Sequence, residues 1–411
     1  MPVPLDSSRL RWSSRLPSDL APNRLTELLN ERRSAGAAIL DLTESNPTAA
    51  GFAYPSDKIL AALADPRALR YHPAAAGLPS ARAAVSQDYY SGRVDPDRIL
   101  LTASTSEAYG FVFKLLADPG DEVLVPRPSY PLFDFLAALD AVRVVQYPLV
   151  YHNGWTIDFD ALARSITPRS RAIVLVNPNN PTGSFLKQSE LGPLIALARE
   201  HNLALISDEV FSDYALQANR LQVVRSLTEI TEVPTFCLSG LSKVSGLPQL
   251  KLGWIVTGGP TLEREQAFER LELIADTYLS VSAPVQLAAP VLLGLRVELQ
   301  KQILARARAN RAFLASQIGP ASPWRLLETE GGWSAILEAP RIQTEEEWVL
   351  SLLESDGVLV QPGFFFDFER EAFLVLSLLT PEHVFEEGVR RILARVTEPR
   401  PAEPRPAEPR P

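Results

Sequence analysis

A single cysteine, Cys237, among 411 residues excludes an internal disulfide framework. The four histidines are scattered and lack the spacing of metal ligands. No basic block of the kind that tracks a phosphate backbone is present, and a net charge of −9 with a pI near 5.2 argues against a nucleic-acid partner. No apolar run is long enough to cross a bilayer. The first residues, MPVPLDSSRLRWSSRLPSDL, carry no apolar core of signal-peptide type. These absences predict a cytoplasmic protein with neither a membrane nor a nucleic acid as partner. What remains is an ordinary globular composition, 46% hydrophobic and 22% charged, in a chain long enough for two or so domains.

Short apolar runs alternate with helical patterns along the first two thirds of the chain. ILLTAS (99–104), EVLVPR (122–127), RVVQYP (143–148), AIVLVNP (172–178) and LALISDE (203–209) read as strands. EAYGFVFKLLAD (107–118), PLFDFLAALD (131–140) and LGPLIALAREHN (191–202) have helical apolar spacing. Such alternation predicts a mostly parallel sheet covered by helices on both faces, with ligands at the carboxyl ends of its strands. Beyond residue 285 a long amphipathic helix (297–318) and a strand–helix–strand series predict a second, smaller α/β domain. The expected division is an N-terminal arm contributing to the small domain (1–50), a large domain (51–285), a small domain (286–396) and a tail (397–411). The tail is a Pro/Glu/Arg/Ala repeat with almost nothing apolar to bury, expected to be extended and disordered.

Four stretches at strand ends are polar in a way that packing does not require. TASTSEA (102–108) opens a helix with small hydroxylated residues, which suits an anion at a helix N-terminus as well as a plain cap. NPNNPTG (177–183) is a turn that projects asparagine amides. SDEV (207–210) sets Asp208 at the sheet's carboxyl edge, where a buried carboxylate needs a cationic partner. SGLSKVSGLPQLKLGW (239–254) sets Lys243 among small and apolar neighbours, with Lys251 further on. A phosphate cradle, an amide, a carboxylate and a lysine in small surroundings match pyridoxal phosphate. Its aldehyde condenses with lysine, and its ring nitrogen is held protonated by a carboxylate.

With LTESNPT, YHPAAAGLPSAR, DPGDEVLVPRPSYP and GVLVQPG, these motifs occur in the order found in the class I/II aminotransferases, which the chain resembles over roughly residues 25–395. The resemblance implies a fold-type I pyridoxal phosphate-dependent enzyme passing an amino group from an amino acid or amine donor to a 2-oxo acid. It implies that Lys243 forms the Schiff base, that Asp208 pairs with the ring nitrogen, and that Asn180 bonds the phenolic oxygen. Tyr130 would stack on the ring. Ser104 and Thr105 would hold the phosphate, helped by Ser239 or Ser242 and by Lys251 where many relatives have arginine. Tyr71 would reach the phosphate of a neighbouring subunit, which implies a homodimer with shared sites.

Three further positions depart from the family pattern. Phe211 stands where most relatives have a tyrosine bonded to the phenolic oxygen, and losing such a contact to a charged group costs about 1.5–3 kcal/mol. Tyr214, a helical turn on, is the candidate substitute. Val375, in FLVLS, stands where relatives carry the arginine that grips the substrate's α-carboxylate. Ser45 stands where many have a glycine near that carboxylate, and Trp333 is placed near the substrate entrance. Arg15 or Arg11 is the candidate relocated cation. Otherwise the substrate is an amine or amino alcohol, or the site performs a lyase, decarboxylase or oxidase reaction. A non-catalytic sensor would need a DNA-binding domain, and none is legible in the short segment before the first motif.

Overall fold

The computed structural model describes residues 12–217 and 222–395. Arg11 and the tail 397–411 lie outside the described residues. The apolar runs form an eight-stranded sheet: β1 (Ile99–Thr102), β2 (Glu122–Arg127), β3 (Arg143–Tyr151), β4 (Trp155–Ile157), β5 (Ser170–Val176), β6 (Ala204–Asp208), β7 (Thr235–Gly240) and β8 (Gly253–Gly258). Its spatial order is β1-β8-β7-β6-β5-β2-β3-β4. Only β8 and the edge strand β4 run against their neighbours.

Side-chain alternation divides the sheet's residues between two cores. Leu101, Leu124, Ile173, Leu175, Leu205, Cys237 and Trp254 face one core, which is closed by helices that include Gln188–Glu200 and Ala283–Gly294. Leu100, Val123, Val125, Val174, Ile206, Leu238 and Ile255 face the other, closed by the helices Thr105–Leu116 and Thr261–Tyr278. Near-continuous apolar strands therefore bury both faces, as a mostly parallel sheet requires. The helix Ala283–Gly294 straddles the expected boundary at 285/286 and belongs to the large core, because Val285, Ala289, Leu292 and Leu293 are buried there.

A second, antiparallel sheet holds β9 (Arg325–Leu326), β10 (Ser334–Glu338), β11 (Gln361–Pro362) and β12 (Phe373–Ser377), in the order β9-β10-β12-β11. The N-terminal segment joins this smaller unit. Leu40–Asp41 pairs in parallel with Val358–Leu359, and the Ser377 N–H donates to the Leu42 carbonyl at 2.7 Å.

The small unit meets the large sheet at its carboxyl edge. The Gly331 N–H donates to the Gly183 carbonyl (2.9 Å), the Gly332 N–H to the Tyr214 carbonyl (2.9 Å), and the Lys187 ammonium pairs with Glu330 at 2.5 Å. The Ser129 N–H donates to the Phe366 carbonyl, and Arg127 pairs with Glu369. Gly183 is indispensable to this seam. Its φ is +68°, and a Cβ there would lie 2.3 Å from the Gly331 carbonyl oxygen. Backbone cannot yield as a flexible side chain can. Gly183→Ala is therefore expected to cost at least about 2 kcal/mol in urea unfolding and to lower activity with it, since the turn carries Asn180.

Candidate active site

Five strands of the large sheet end at one cavity of about 400 Å³, a size typical of small-molecule sites. Past β1 come Ser104, Thr105 and Ser106; past β2, Tyr130; past β5, Asn180; at the end of β6, Asp208; past β7, Ser242 and Lys243. Lys251, before β8, also lines it, together with Phe211. The small unit closes the far side with Trp333, Ser334, Gln361, Phe366, Val375 and Ser377, and the N-terminal segment adds Thr43 and Ser45.

Asp208 continues the Ile206 side of β6, and the helix Thr105–Leu116 covers that face. From the helix, the Tyr109 hydroxyl donates to Asp208 Oδ2 at 3.2 Å, while the Val210 N–H donates to Oδ1 at 3.2 Å. Burial pushes the carboxyl up to about 6, against the pull of these two bonds and of the Lys243 charge. Burial likewise lowers the Lys243 ammonium, and the Asp208 charge opposes that fall. Lys243 Nζ sits 5.3 Å from the Trp333 ring centre and 5.8 Å from that of Phe211. Both rings support the cation where water is scarce.

Of the expected residues, the cavity gathers Ser45, Ser104, Thr105, Tyr130, Asn180, Asp208, Phe211, Ser242, Lys243, Lys251, Trp333 and Val375. Three lie elsewhere. Ser239 shares the face of β7 that carries Cys237, opposite to Asp208 and Leu238, so alternation turns it away and leaves Ser242 as the hydroxyl near the lysine. Arg15 donates to the Leu139 carbonyl (3.2 Å) and to Ser13 Oγ (3.1 Å), outside the cavity. Tyr71 is 81% exposed and lines a separate cleft. Tyr214 does not replace the missing tyrosine at 211. Its hydroxyl donates to the Lys243 carbonyl at 2.6 Å, holding the lysine's backbone while its ring packs edge-on to Trp333.

Tyr109 and Gln361 were missed. Tyr109 lies one helical turn beyond Thr105, on the face that β6 presents to that helix, so strand and helix parity together could have found it. Gln361 is the polar break in the apolar run VLVQPG.

A model of the family described as aminotransferase class I and II matches residues 37–392. The chain belongs to the class I and II aminotransferases. It is 28% identical over 352 residues to the glutamate-pyruvate aminotransferase AlaA of Escherichia coli strain K12, covering 81% of this chain and 84% of that protein. It is 31% identical over 377 residues to an alanine aminotransferase of Mycobacterium tuberculosis, covering 87% of this chain and 85% of that one. Among solved structures, an alanine aminotransferase from Pyrococcus furiosus superposes with a TM-score of 0.84 at 25% identity, over 94% of this chain and all of that one. The protein is thus a transaminase, an enzyme of the fold-type I architecture.

For this aminotransferase the buried Asp208 has a consequence for stability. Its folded-state value, about 6, lies above the ordinary 3.8. The folded protein therefore holds the extra proton between those values, and stability falls as pH rises through that window. Asp208→Asn removes the ionisable group. Without cofactor, the variant is expected to be more stable than the parent by about 1–3 kcal/mol at pH 8, the gain vanishing by about pH 4, while transaminase activity is lost. Urea titrations across pH measure the difference.

Proposed function

We propose that this aminotransferase works with pyridoxal phosphate held in the Lys243 cavity, Lys243 being the residue to which the cofactor is attached. The observation carrying this reading is an ammonium buried without an ion-pair contact among the described residues, at the carboxyl edge of the sheet, within the field of Asp208. The donor set fits the group. Among the described residues, the side-chain polar atoms of Lys243, Lys251, Asn180, Tyr130, Thr105 and Ser242 have no hydrogen-bond partner, although all line the cavity. Two ammonium groups against one carboxylate leave the lining suited to a phosphate, and the helix Thr105–Leu116 points its N-terminus at the same place.

Bound there, the cofactor would supply an aldehyde that captures the substrate's amino group and a ring that accepts its electron pair. Asp208, facing the ring nitrogen, would keep that nitrogen protonated, and Tyr109 would hold the carboxylate in place. Asn180 would donate to the phenolic oxygen. Ser104, Thr105, Ser242 and Lys251 would hold the phosphate, and Tyr130 would cover the ring. Lys243, lowered by burial, would move the proton at the substrate carbon, since an amine that gives up its proton readily serves as both base and acid. The reading includes a cytoplasmic homodimer, in which the exposed Tyr71 and its neighbour Leu69 meet a second copy of the chain. Glutamate–pyruvate and alanine transamination, named for the relatives, set the starting panel of donors and acceptors.

Borohydride reduction of the cofactor-loaded protein tests the lysine. The expected outcome is a covalent pyridoxyl mass on the peptide containing Lys243, absent in Lys243→Ala, with turnover lowered at least about a thousandfold in that variant. A label on any other lysine would refute the assignment.

A further inference from the structure

We propose that Gln361 and Val375 give this site a neutral substrate wall, which selects amines whose amine-bearing carbon carries an uncharged hydrogen-bonding group, an amino alcohol or amino amide, over α-amino acids. The inference rests on the pyridoxal phosphate reading of the Lys243 cavity.

The lysines and the carboxylate that line the cavity, Lys243, Lys251 and Asp208, all come from the large unit. The opposite wall is one face of the small sheet. Along β12, Val375 and Ser377 point the same way, and in register Gln361 lies opposite Val375 and Ser334 opposite Ser377. All four line the cavity. Leu374 and Leu376 face the apolar core behind, and Val375 itself is 2% exposed, so no cation reaches the cavity from this stretch of β12. The Ser377 hydroxyl is committed, donating to the Glu44 carbonyl and accepting from the Leu379 N–H. The Gln361 amide and the Ser334 and Ser45 hydroxyls have no hydrogen-bond partner among the described residues.

This is a surface of free neutral donors and acceptors. A carboxylate brought against it sheds its hydration and gains no opposing charge from the described residues of this wall. A hydroxyl or carboxamide loses less and is met in full, because the glutamine amide both donates and accepts. The reaction needs no further reagent. An amino alcohol gives its nitrogen and the hydrogen of the C–N carbon to a 2-oxo acid. The donor carbon becomes a ketone with oxygen from water, while the oxo acid becomes the amino acid and its oxygen returns to water. The oxo acid meets the same wall, so it is expected to show the higher KM of the pair.

The test follows the loss of the cofactor's visible absorbance in the holoenzyme after mixing with L-alaninol, L-alaninamide or L-alanine. The expected kcat/KM for the first two exceeds that for alanine by at least about tenfold. Gln361→Leu should lower alaninol and alaninamide by about tenfold and leave isopropylamine, which has no such group, within about twofold. Val375→Arg should shift the preference toward alanine, and calorimetric binding of the three to cofactor-loaded Lys243→Ala should keep the parent order of affinity. Equal or better use of alanine, no reaction with any of the three, or a Gln361→Leu effect shared by isopropylamine overturns this inference alone. A protein that carries no cofactor on Lys243 after borohydride reduction defeats the underlying reading instead.

Discussion

Everything at this site depends on holding two opposite charges, Lys243 and Asp208, away from water without letting them neutralise one another through direct contact. Burial disfavours both charged forms, raising the acid and lowering the base, and their mutual attraction offsets part of each shift. A surface pair would have neither property, because solvent would screen it and leave both groups near their ordinary values. The fold meets the requirement by ending β6 and the β7–lysine turn side by side at the sheet's carboxyl edge, then closing the space above them with a second domain. Trp333 and Phe211 bring apolar faces to the ammonium, which exclude water while still tolerating a cation.

Close backbone approach makes the lysine turn possible. Gly240 ends β7 where a Cβ would lie 2.9 Å from both the Gly253 Cα and the Leu252 carbonyl oxygen. The glycine in SGLSK is therefore required by the neighbouring strand. The adjacent pair Asp208–Glu209 divides its work between the two sides of the sheet. Asp208 faces the cavity. Glu209 turns away, accepts from Ser207 Oγ and the Leu227 N–H, and is itself pushed up to about 7 by burial. A carboxylate bonded into the fold and one facing the cavity sit one residue apart, distinguished by the direction each side chain takes from the strand end.

Local pattern was enough to place most of the large domain. EVLVPR became β2 as a whole, and the other four named runs became strands with ends shifted by only a few residues; four of the five are buried on both faces and have no competing arrangement, while Arg143–Tyr151 is mostly half-buried. The strand order was not legible, since it depends on which crossovers pack best at long range. The strands Thr235–Gly240 and Gly253–Gly258 were hidden for a different reason: the glycines and lysines between them dominate the pattern. The gathering of side chains in one cavity was legible where one side chain follows one strand end, as with Asp208, Asn180 and Lys243. Legibility failed where two candidates stood close together. Ser239 and Ser242 differ by three residues, and only the parity of β7 shows which of them reaches the cavity. Tyr109 and Gln361 needed knowledge of what lies across from them, which no single stretch contains.

The two halves of the cavity are encoded by separate sheets, so one side can hold to the expected family pattern while the other departs from it. In the proposed reading, residues on the large sheet's edge would serve a ligand that does not vary, so a change at Asp208 or Lys243 would remove the chemistry outright. Residues on β11 and β12 line the opposite side of the cavity and, in the same reading, would meet the variable part of the substrate. A side-chain exchange at Val375 leaves the hydrogen bonding of the small sheet intact, because its ladder runs through backbone groups that do not depend on the side chain. Valine also suits a strand flanked by Ile336 and Gln361, so the exchange is compatible with strand stability. In that reading a substrate preference could change at β12 while the residues on β6 and β7 that would hold the cofactor stay as they are. The seam at Gly183 and Gly331 is what keeps the two halves in register while they differ.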